Sequence, residues 1–221
     1  MSSAMSGLET FDWEGTALSV AWDHPGIRDT YLLLAHGAGG NLHTPALTAY
    51  AGALAAAGVG AVRFNFPYAE AGRRVPDRQP ILERCYTAVA AHVRPQVSRL
   101  YLGGRSMGGR IASHVVASGA AAPGLVFLSY PLHPPGRPDR LRAAHLPQIG
   151  IPMLFLHGTR DAFADPTLLR RVLQGLPTAT LHDIEGADHG LTVRNRPAAD
   201  VIRELVDVTV RWIGAQRAGR T

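Results

Sequence analysis

The sequence predicts one α/β domain with a mostly parallel sheet and helices on both faces. Short apolar runs alternate with helix-like segments along most of the chain, which is typical of parallel strands joined by helices. The 221 residues are 46% hydrophobic, and the composition shows no break that would indicate a second domain. We therefore expect a single domain over 1–221, with flexible ends at 1–8 and 215–221.

The individual elements follow from these runs in chain order. The alternating stretch from Phe11 to Trp22 predicts an antiparallel edge hairpin that turns at Glu14 and Gly15. Six apolar runs are predicted strands: 30–36, 60–66, 99–104, 124–130, 151–157 and 178–184. Five segments are predicted helices: 44–57, 80–94, 107–118, 165–175 and 197–214.

The segment Gly104-Arg105-Ser106-Met107-Gly108 lies where a predicted strand passes directly into a predicted helix. Gly-x-Ser-x-Gly in that setting is typical of a nucleophile elbow, in which a strained turn exposes the serine hydroxyl. Small residues are needed two places before and after the serine, and Gly104 and Gly108 supply them. Ser106 is therefore the predicted nucleophile, and the Met107 N–H a predicted oxyanion donor.

A serine nucleophile requires a histidine base and a carboxylate that orients the histidine. Asp161 follows the predicted strand 151–157, and His189 follows the predicted strand 178–184. The order serine, acid, histidine separates this arrangement from those of chymotrypsin and subtilisin. Asp165 and, less favoured, Asp188 are the alternative acids; each of these residues also has an ordinary reading as a helix cap or a loop side chain.

A glycine-rich loop, His36-Gly37-Ala38-Gly39-Gly40, follows the strand 30–36 and predicts the second oxyanion donor. We assign that donor to the Ala38 N–H, with Gly39 as the alternative. A dinucleotide-binding loop would need a third glycine at position 42, which is Leu42. Gly37 and Gly39 are also candidate substrate-binding residues.

These motifs together resemble the small, uncapped α/β-hydrolases related to dienelactone hydrolase, a group that includes testis-expressed hydrolase-like proteins and a hydrolase-like subunit of the NSL chromatin complex. The resemblance covers about 30 to 190 and rests on His36–Gly40, Arg63–Arg74, the elbow, Tyr130–Gly136 and Gly158–Asp161. It implies a serine-hydrolase fold and site with poorly defined substrates.

One departure from dienelactone hydrolase and one agreement with the uncapped group refine this resemblance. Dienelactone hydrolases use a cysteine nucleophile, whereas the elbow here holds Ser106 and the single cysteine, Cys85, lies in a predicted helix, where we expect it to be buried. Only about twenty residues separate Pro131 from Pro152, too few for the helical cap domain that many hydrolases carry there. We therefore expect an open site.

The formal charge of +5 comes from arginine alone, since the chain has no lysine. The arginines are spread along the sequence without a run of like charges, so we expect no nucleic-acid partner. Arg73, Arg74 and Arg78 lie in a loop after the strand 60–66. Arg73 and Arg74 are candidate substrate-binding residues, with a solvated, ion-paired loop as the alternative. His133 is a further candidate, although a structural role suits it equally.

The remaining features set limits on function. We find no metal-ligand spacing, no basic and apolar leader and no apolar run long enough to cross a bilayer. One cysteine favours a cytoplasmic protein. The sequence thus predicts a cofactor-independent serine hydrolase of small to medium acyl esters or thioesters, acting as a monomer or homodimer, without metal or membrane partner. The alternative is a scaffold protein that keeps the hydrolase fold without catalysis.

Overall fold

The centre of the protein is an eight-stranded sheet, seen in a computed structural model that describes residues 6–26 and 29–218. The order of its strands across the sheet is β1-β2-β4-β3-β5-β6-β7-β8. The strands are β1 (Ser6–Trp13), β2 (Thr16–Asp23), β3 (Thr30–Ala35), β4 (Gly60–Phe64), β5 (Arg99–Arg105), β6 (Leu125–Leu128), β7 (Met153–Gly158) and β8 (Ala179–Ile184). Strands β3 to β8 run parallel, which confirms the predicted fold class.

Helices cover both faces of this sheet. They are α1 (Pro45–Ala56), α2 (Pro67–Glu70), α3 (Gln79–Val93), α4 (Met107–Ala117), α5 (Pro166–Gln174) and α6 (Ala198–Ala218). Buried side chains of α1 and α6 form one core against the sheet, and those of α3, α4 and α5 form the other. None of these helices, within the residues described, is both long and apolar enough to span a membrane.

The predicted edge hairpin is confirmed. Strands β1 and β2 pair antiparallel, with Trp13 opposite Thr16. The two residues between them have positive φ angles, 50° at Glu14 and 78° at Gly15. Such a two-residue turn matches the right-handed twist of the strands it joins. The hairpin lies at the sheet edge because only β2 contacts the parallel strands, through β4.

Parts of the two chain ends that were expected to be flexible belong to regular elements. Residues 6–8 belong to β1 and pair with 21–23 of β2. Residues 215–218 continue α6. The remaining parts of the two expected segments, 1–5 and 219–221, lie outside the described residues.

The segment between β6 and β7 determines how open the sheet edge is. Between 131 and 152 the chain forms only a single short 3₁₀ turn, Leu146–Gln148. No cap is inserted at this point, as the short spacing predicted. The carboxyl ends of β3, β5, β7 and β8 therefore meet at an uncovered edge, the usual location of sites in open parallel sheets.

Candidate active site

Ser106 lies at the turn between β5 and α4, in a strained backbone conformation with φ 52° and ψ −119°. A non-glycine residue with positive φ is uncommon and persists only where its surroundings hold it. Here the Ser106 N–H donates to the Leu128 carbonyl on the neighbouring strand, at 2.9 Å. The turn is thus fixed to the sheet from one side.

The carbonyl group of Ala35 lies close to both glycines of this turn, Gly104 and Gly108. A Cβ atom would lie 2.5 Å from the Ala35 oxygen if added at Gly104, and 2.3 Å from it if added at Gly108. Both distances are far shorter than real Cβ contacts. The requirement for small residues around Ser106 therefore has a specific physical cause, the close approach of the end of β3.

His189 lies between Ser106 and Asp161 within hydrogen-bonding distance of both. The Ser106 hydroxyl is 2.8 Å from the His189 Nε2 atom, and the His189 Nδ1 atom is 2.9 and 2.8 Å from the two Asp161 carboxylate oxygens. Nδ1 is the donor to an ionised carboxylate, which leaves Nε2 free to accept the serine proton. The structure thus brings together the three residues that the sequence singled out.

Phe163 contacts both Asp161 and His189. Its backbone N–H donates to Asp161 Oδ1 at 2.7 Å, and its ring stacks on the His189 imidazole with centroids 4.1 Å apart. The Asp161 side chain is fully buried. Sequence reasoning missed Phe163, for which the only signal is an aromatic residue two positions after the predicted acid.

The two alternative acids have local structural roles. Asp165 caps α5, where its Oδ1 accepts from the Leu168 N–H at 2.9 Å. Asp188 shapes the loop around His189, since its Oδ1 accepts from the N–H groups of Gly190 and Thr192 at 2.8 and 2.9 Å. Neither carboxylate contacts the imidazole of His189 among the hydrogen bonds of the described residues.

The residues expected to supply the oxyanion donors line the same small pocket as Ser106. Ala38 and Met107 both line it, whereas Gly39, the alternative donor, does not. Within the described chain, neither the Ala38 N–H nor the Met107 N–H makes a hydrogen bond. Met107 is the first residue of α4, where an N–H has no partner inside the helix. Gly37 also adjoins Ser106, since a Cβ there would lie 3.5 Å from the serine Cβ.

His36 fixes the loop that carries Ala38. Its Nδ1–H donates to the Gly37 carbonyl at 2.9 Å, and its Nε2 accepts from the Phe66 N–H at 3.2 Å. Burial lowers the pKa of His36 to about 4, so the ring is neutral near pH 7 and suits this donor and acceptor pattern. The loop geometry therefore depends on an uncharged histidine.

The pocket beside Ser106 has a volume of about 270 Å³ and carries charged groups other than the expected ones. Arg110 and Arg142 line it, together with Asp77, while Arg73 and Arg74 do not. Arg73 instead donates to the Asp77 carboxylate at 2.7 Å, which is the ion-paired alternative considered for this loop. Arg110 lies one helical turn after Ser106, a spacing from which it was predictable.

His133 is also placed differently from its candidate role in binding. Its Nδ1–H donates to the Pro134 carbonyl and its Nε2 accepts from the Asp165 N–H, both at 2.9 Å. The side chain is buried and does not line the pocket. Both ring nitrogens are occupied by backbone groups, so His133 connects two loops and has no free group for a substrate.

No cluster of three or more histidine, cysteine or carboxylate side chains suited to a metal ion occurs in the described part of the chain. Cys85, in α3, is buried as predicted, and burial raises the pKa of its thiol. The polar groups around Ser106 thus include the His189–Asp161 pair, the side chains of Asp77 and Gln79, and two arginines.

The model of the family described as "Alpha/beta hydrolase domain" matches residues 28–214, and the chain belongs to this family. Among solved structures, an alpha-beta serine hydrolase homologue from Coxiella burnetii is 21% identical over 93% of this chain and 96% of its own, with a TM-score of 0.75. A serine hydrolase without lid from Xanthomonas campestris is 25% identical over 94% of both chains, at 0.73. The dienelactone hydrolase of Anabaena variabilis is 20% identical over 97% of this chain and 99% of its own, at 0.75.

Proposed function

We propose that this protein is a cofactor-independent serine hydrolase that cleaves esters or thioesters of small to medium acyl groups. The observation that carries the proposal is the continuous contact from Ser106 Oγ through the His189 ring to Asp161, with distances of 2.8 Å on each side. The narrower relationship, to the testis-expressed and NSL-subunit proteins, stays a prediction.

The proposed reaction has two halves. Ser106 Oγ attacks the acyl carbonyl carbon while its proton passes to His189 Nε2, and Asp161 stabilises the imidazolium through Nδ1–H. The N–H groups of Ala38 and Met107 hold the oxyanion of the tetrahedral intermediate. Its collapse breaks the bond to the leaving alcohol or thiol, which takes the proton from Nε2. Water then attacks the acyl-enzyme by the same route, which releases the acid and restores Ser106.

The charge of the pocket supports a preference for acyl substrates that carry a second, anionic group. Arg110 and Arg142 form no salt bridge within the described residues. Burial lowers the pKa of Arg110, and the neighbouring charge of Arg142 adds to that lowering. An anion bound between the two guanidinium groups would relieve this repulsion. The Asp77 carboxylate in the same pocket is already neutralised by Arg73.

The test is labelling with a fluorophosphonate probe, followed by a panel of activated esters and thioesters. We expect the wild-type protein to be labelled at Ser106 and to hydrolyse short-chain members of the panel. Ser106→Ala is the matched control, because it removes the hydroxyl and keeps a small residue at the elbow. A correctly folded wild-type protein that neither reacts nor hydrolyses would contradict the proposal and favour the scaffold alternative.

A further inference from the structure

A second cavity, of about 390 Å³, lies between α1, α6 and the loop that follows His189. It shares no lining residue with the pocket beside Ser106. Its walls are mostly aliphatic and come from both helices, from β6 and from the His189 loop. The aliphatic residues that define it are Leu47, Leu128, Leu191, Val193, Val201 and Leu205.

The charged residues that line this cavity are both arginines, and one of them is already neutralised. Arg196 forms a salt bridge of 2.6 Å with Glu204 and donates to the Asp200 carbonyl. Arg105 has no salt bridge with any described residue. Asp161 and Asp188 act on it only at longer range. The cavity therefore combines apolar walls with one guanidinium group that lacks an anionic partner.

Arg105 is also incompletely hydrogen-bonded. Its Nη2 donates to the His189 carbonyl at 3.3 Å, but its Nε is buried and has no hydrogen-bond partner in the described structure. An unpaired buried donor is costly, and a charged one more so. The Nη1 group of Arg105 has no hydrogen bond to a described residue and, unlike Nε, is not fully buried. A ligand carboxylate is a suitable partner for it, because a charge-assisted hydrogen bond is stronger than a neutral one.

We propose that this cavity binds the anion of a medium-chain fatty acid, with its alkyl tail between α1 and α6 and its carboxylate on Arg105. The apolar walls favour an alkyl chain, because each methylene removed from water raises affinity about fourfold. The same walls disfavour a sugar or nucleotide, whose hydroxyl groups would stay without partners. The inference does not depend on the proposed hydrolysis, because binding requires no reaction at Ser106.

The position of Arg105 connects this cavity to the candidate active site. Arg105 directly precedes Ser106 in the chain, and its side chain contacts the His189 carbonyl. A ligand bound to the Arg105 guanidinium group would therefore lie next to the segments that carry Ser106 and His189. The fatty acid anion would not reach the Ser106 hydroxyl, since the two pockets have separate linings. It is therefore a second ligand rather than the acyl group of the substrate.

The test is calorimetric titration of Ser106→Ala with decanoate below its micellar concentration, and with decanamide as the uncharged analogue of equal length. We expect decanoate to bind about tenfold more tightly than decanamide, from the charge-assisted contact. Arg105→Gln should remove that difference. Ala46→Phe, which fills the cavity from α1, should weaken both ligands at least tenfold.

Two controls separate this site from its surroundings. Ala56→Phe changes an exposed alanine of the same helix outside the cavity and should bind decanoate like the parent. Arg142→Gln should also leave decanoate affinity unchanged, because Arg142 belongs to the other pocket. The inference would be overturned by absence of binding, by equal affinities for decanoate and decanamide, by unchanged affinity in Ala46→Phe, or by a loss in Arg142→Gln.

Discussion

The ring of Phe163 lies on the imidazole of His189, with ring centroids 4.1 Å apart and planes inclined by 29°. The same residue donates its backbone N–H to Asp161. One aromatic residue thus limits the movement of the proposed base on one side and fixes the proposed acid on the other.

From this contact we expect Phe163→Ala to lower kcat by up to about tenfold, since an aromatic pair contributes about 0.5–1.5 kcal/mol beyond its burial. The loss arises because His189 rotates more freely, while the Asp161 contact to the backbone at 163 persists. Steady-state kinetics with a short neutral ester measures it. Phe163→Tyr, which keeps the ring, should retain wild-type kcat; a full-activity alanine variant would show that the stacking has no role.

Ser106→Ala should abolish fluorophosphonate labelling and lower turnover by about 10⁶, the effect of removing a nucleophile that acts as a unit with its base. The variant should keep the thermal midpoint within a few degrees, since alanine fits the space between Gly104 and Gly108. Ester hydrolysis and circular dichroism together measure both effects. Turnover within about tenfold of wild type would rule out Ser106 as nucleophile.

Asp161→Asn should lower turnover by about 10⁴, because an amide favours the wrong tautomer of His189. The matched variant is Asp165→Asn. Asn is also a good helix cap, so this variant should leave both turnover and stability close to wild type. Kinetics at saturating substrate compare the two. A larger loss of turnover in Asp165→Asn, with the fold preserved, would reverse the assignment.

The pocket arginines predict substrate selectivity. In a double Arg110→Gln and Arg142→Gln variant, the kcat/KM preference for an ester that carries a carboxylate over its neutral analogue should fall about ten- to a hundredfold. Arg74→Gln is the control, because Arg74 is exposed and does not line this pocket. Added salt should weaken the wild-type preference. An unchanged ratio in the double variant would show that these charges only face solvent.

His36 predicts a loss of stability in acid. Its pKa is about 4 when folded, below the unfolded value of about 6.5. The unfolded chain therefore binds the proton first, and stability that is complete above pH 6.5 falls as the pH drops towards 4. Between pH 7.5 and 5 the His36 contribution to the free energy of unfolding should fall by about 2 kcal/mol.

Urea unfolding of wild type and His36→Gln at both pH values measures this contribution. Glutamine keeps one donor and one acceptor without a titrating ring, so the variant should lose less stability in acid. His43→Gln, at an exposed position, is the matched control. Equal acid losses in wild type and His36→Gln would contradict the prediction.

The strands, the main helices and the group of Ser106, His189 and Asp161 were predictable because their signals are local. Apolar runs are typical of buried strands. The glycines around Ser106 indicate that another backbone segment lies close to them, and any sequence that forms this turn needs small residues there. The short helix α2 was missed, since its four residues begin only three positions after the end of β4 and are too few for a periodic pattern.

The charges of the pocket were harder to predict, because side-chain pairing is decided by packing between distant segments. Arg73 and Arg74 lie in a suitable loop, yet Arg73 pairs with Asp77, and the pocket receives Arg142 from the segment between β6 and β7. His133 similarly follows a strand end, but its ring forms hydrogen bonds with backbone groups of two loops. The position of a residue in the sequence predicts at which edge of the sheet it lies, but it does not predict where its side chain points.

The Ala35 carbonyl that excludes side chains from Gly104 and Gly108 also determines which parts of the site move together. The chain continues from Ala35 into the loop that carries Ala38, so the serine turn and this loop share one anchor in the middle of the sheet. His189 depends on a different anchor, since its loop follows β8, the outermost strand. If that edge loosens, we expect Ser106 and the loop that carries Ala38 to keep their mutual geometry, while the proposed proton acceptor His189 moves away from them.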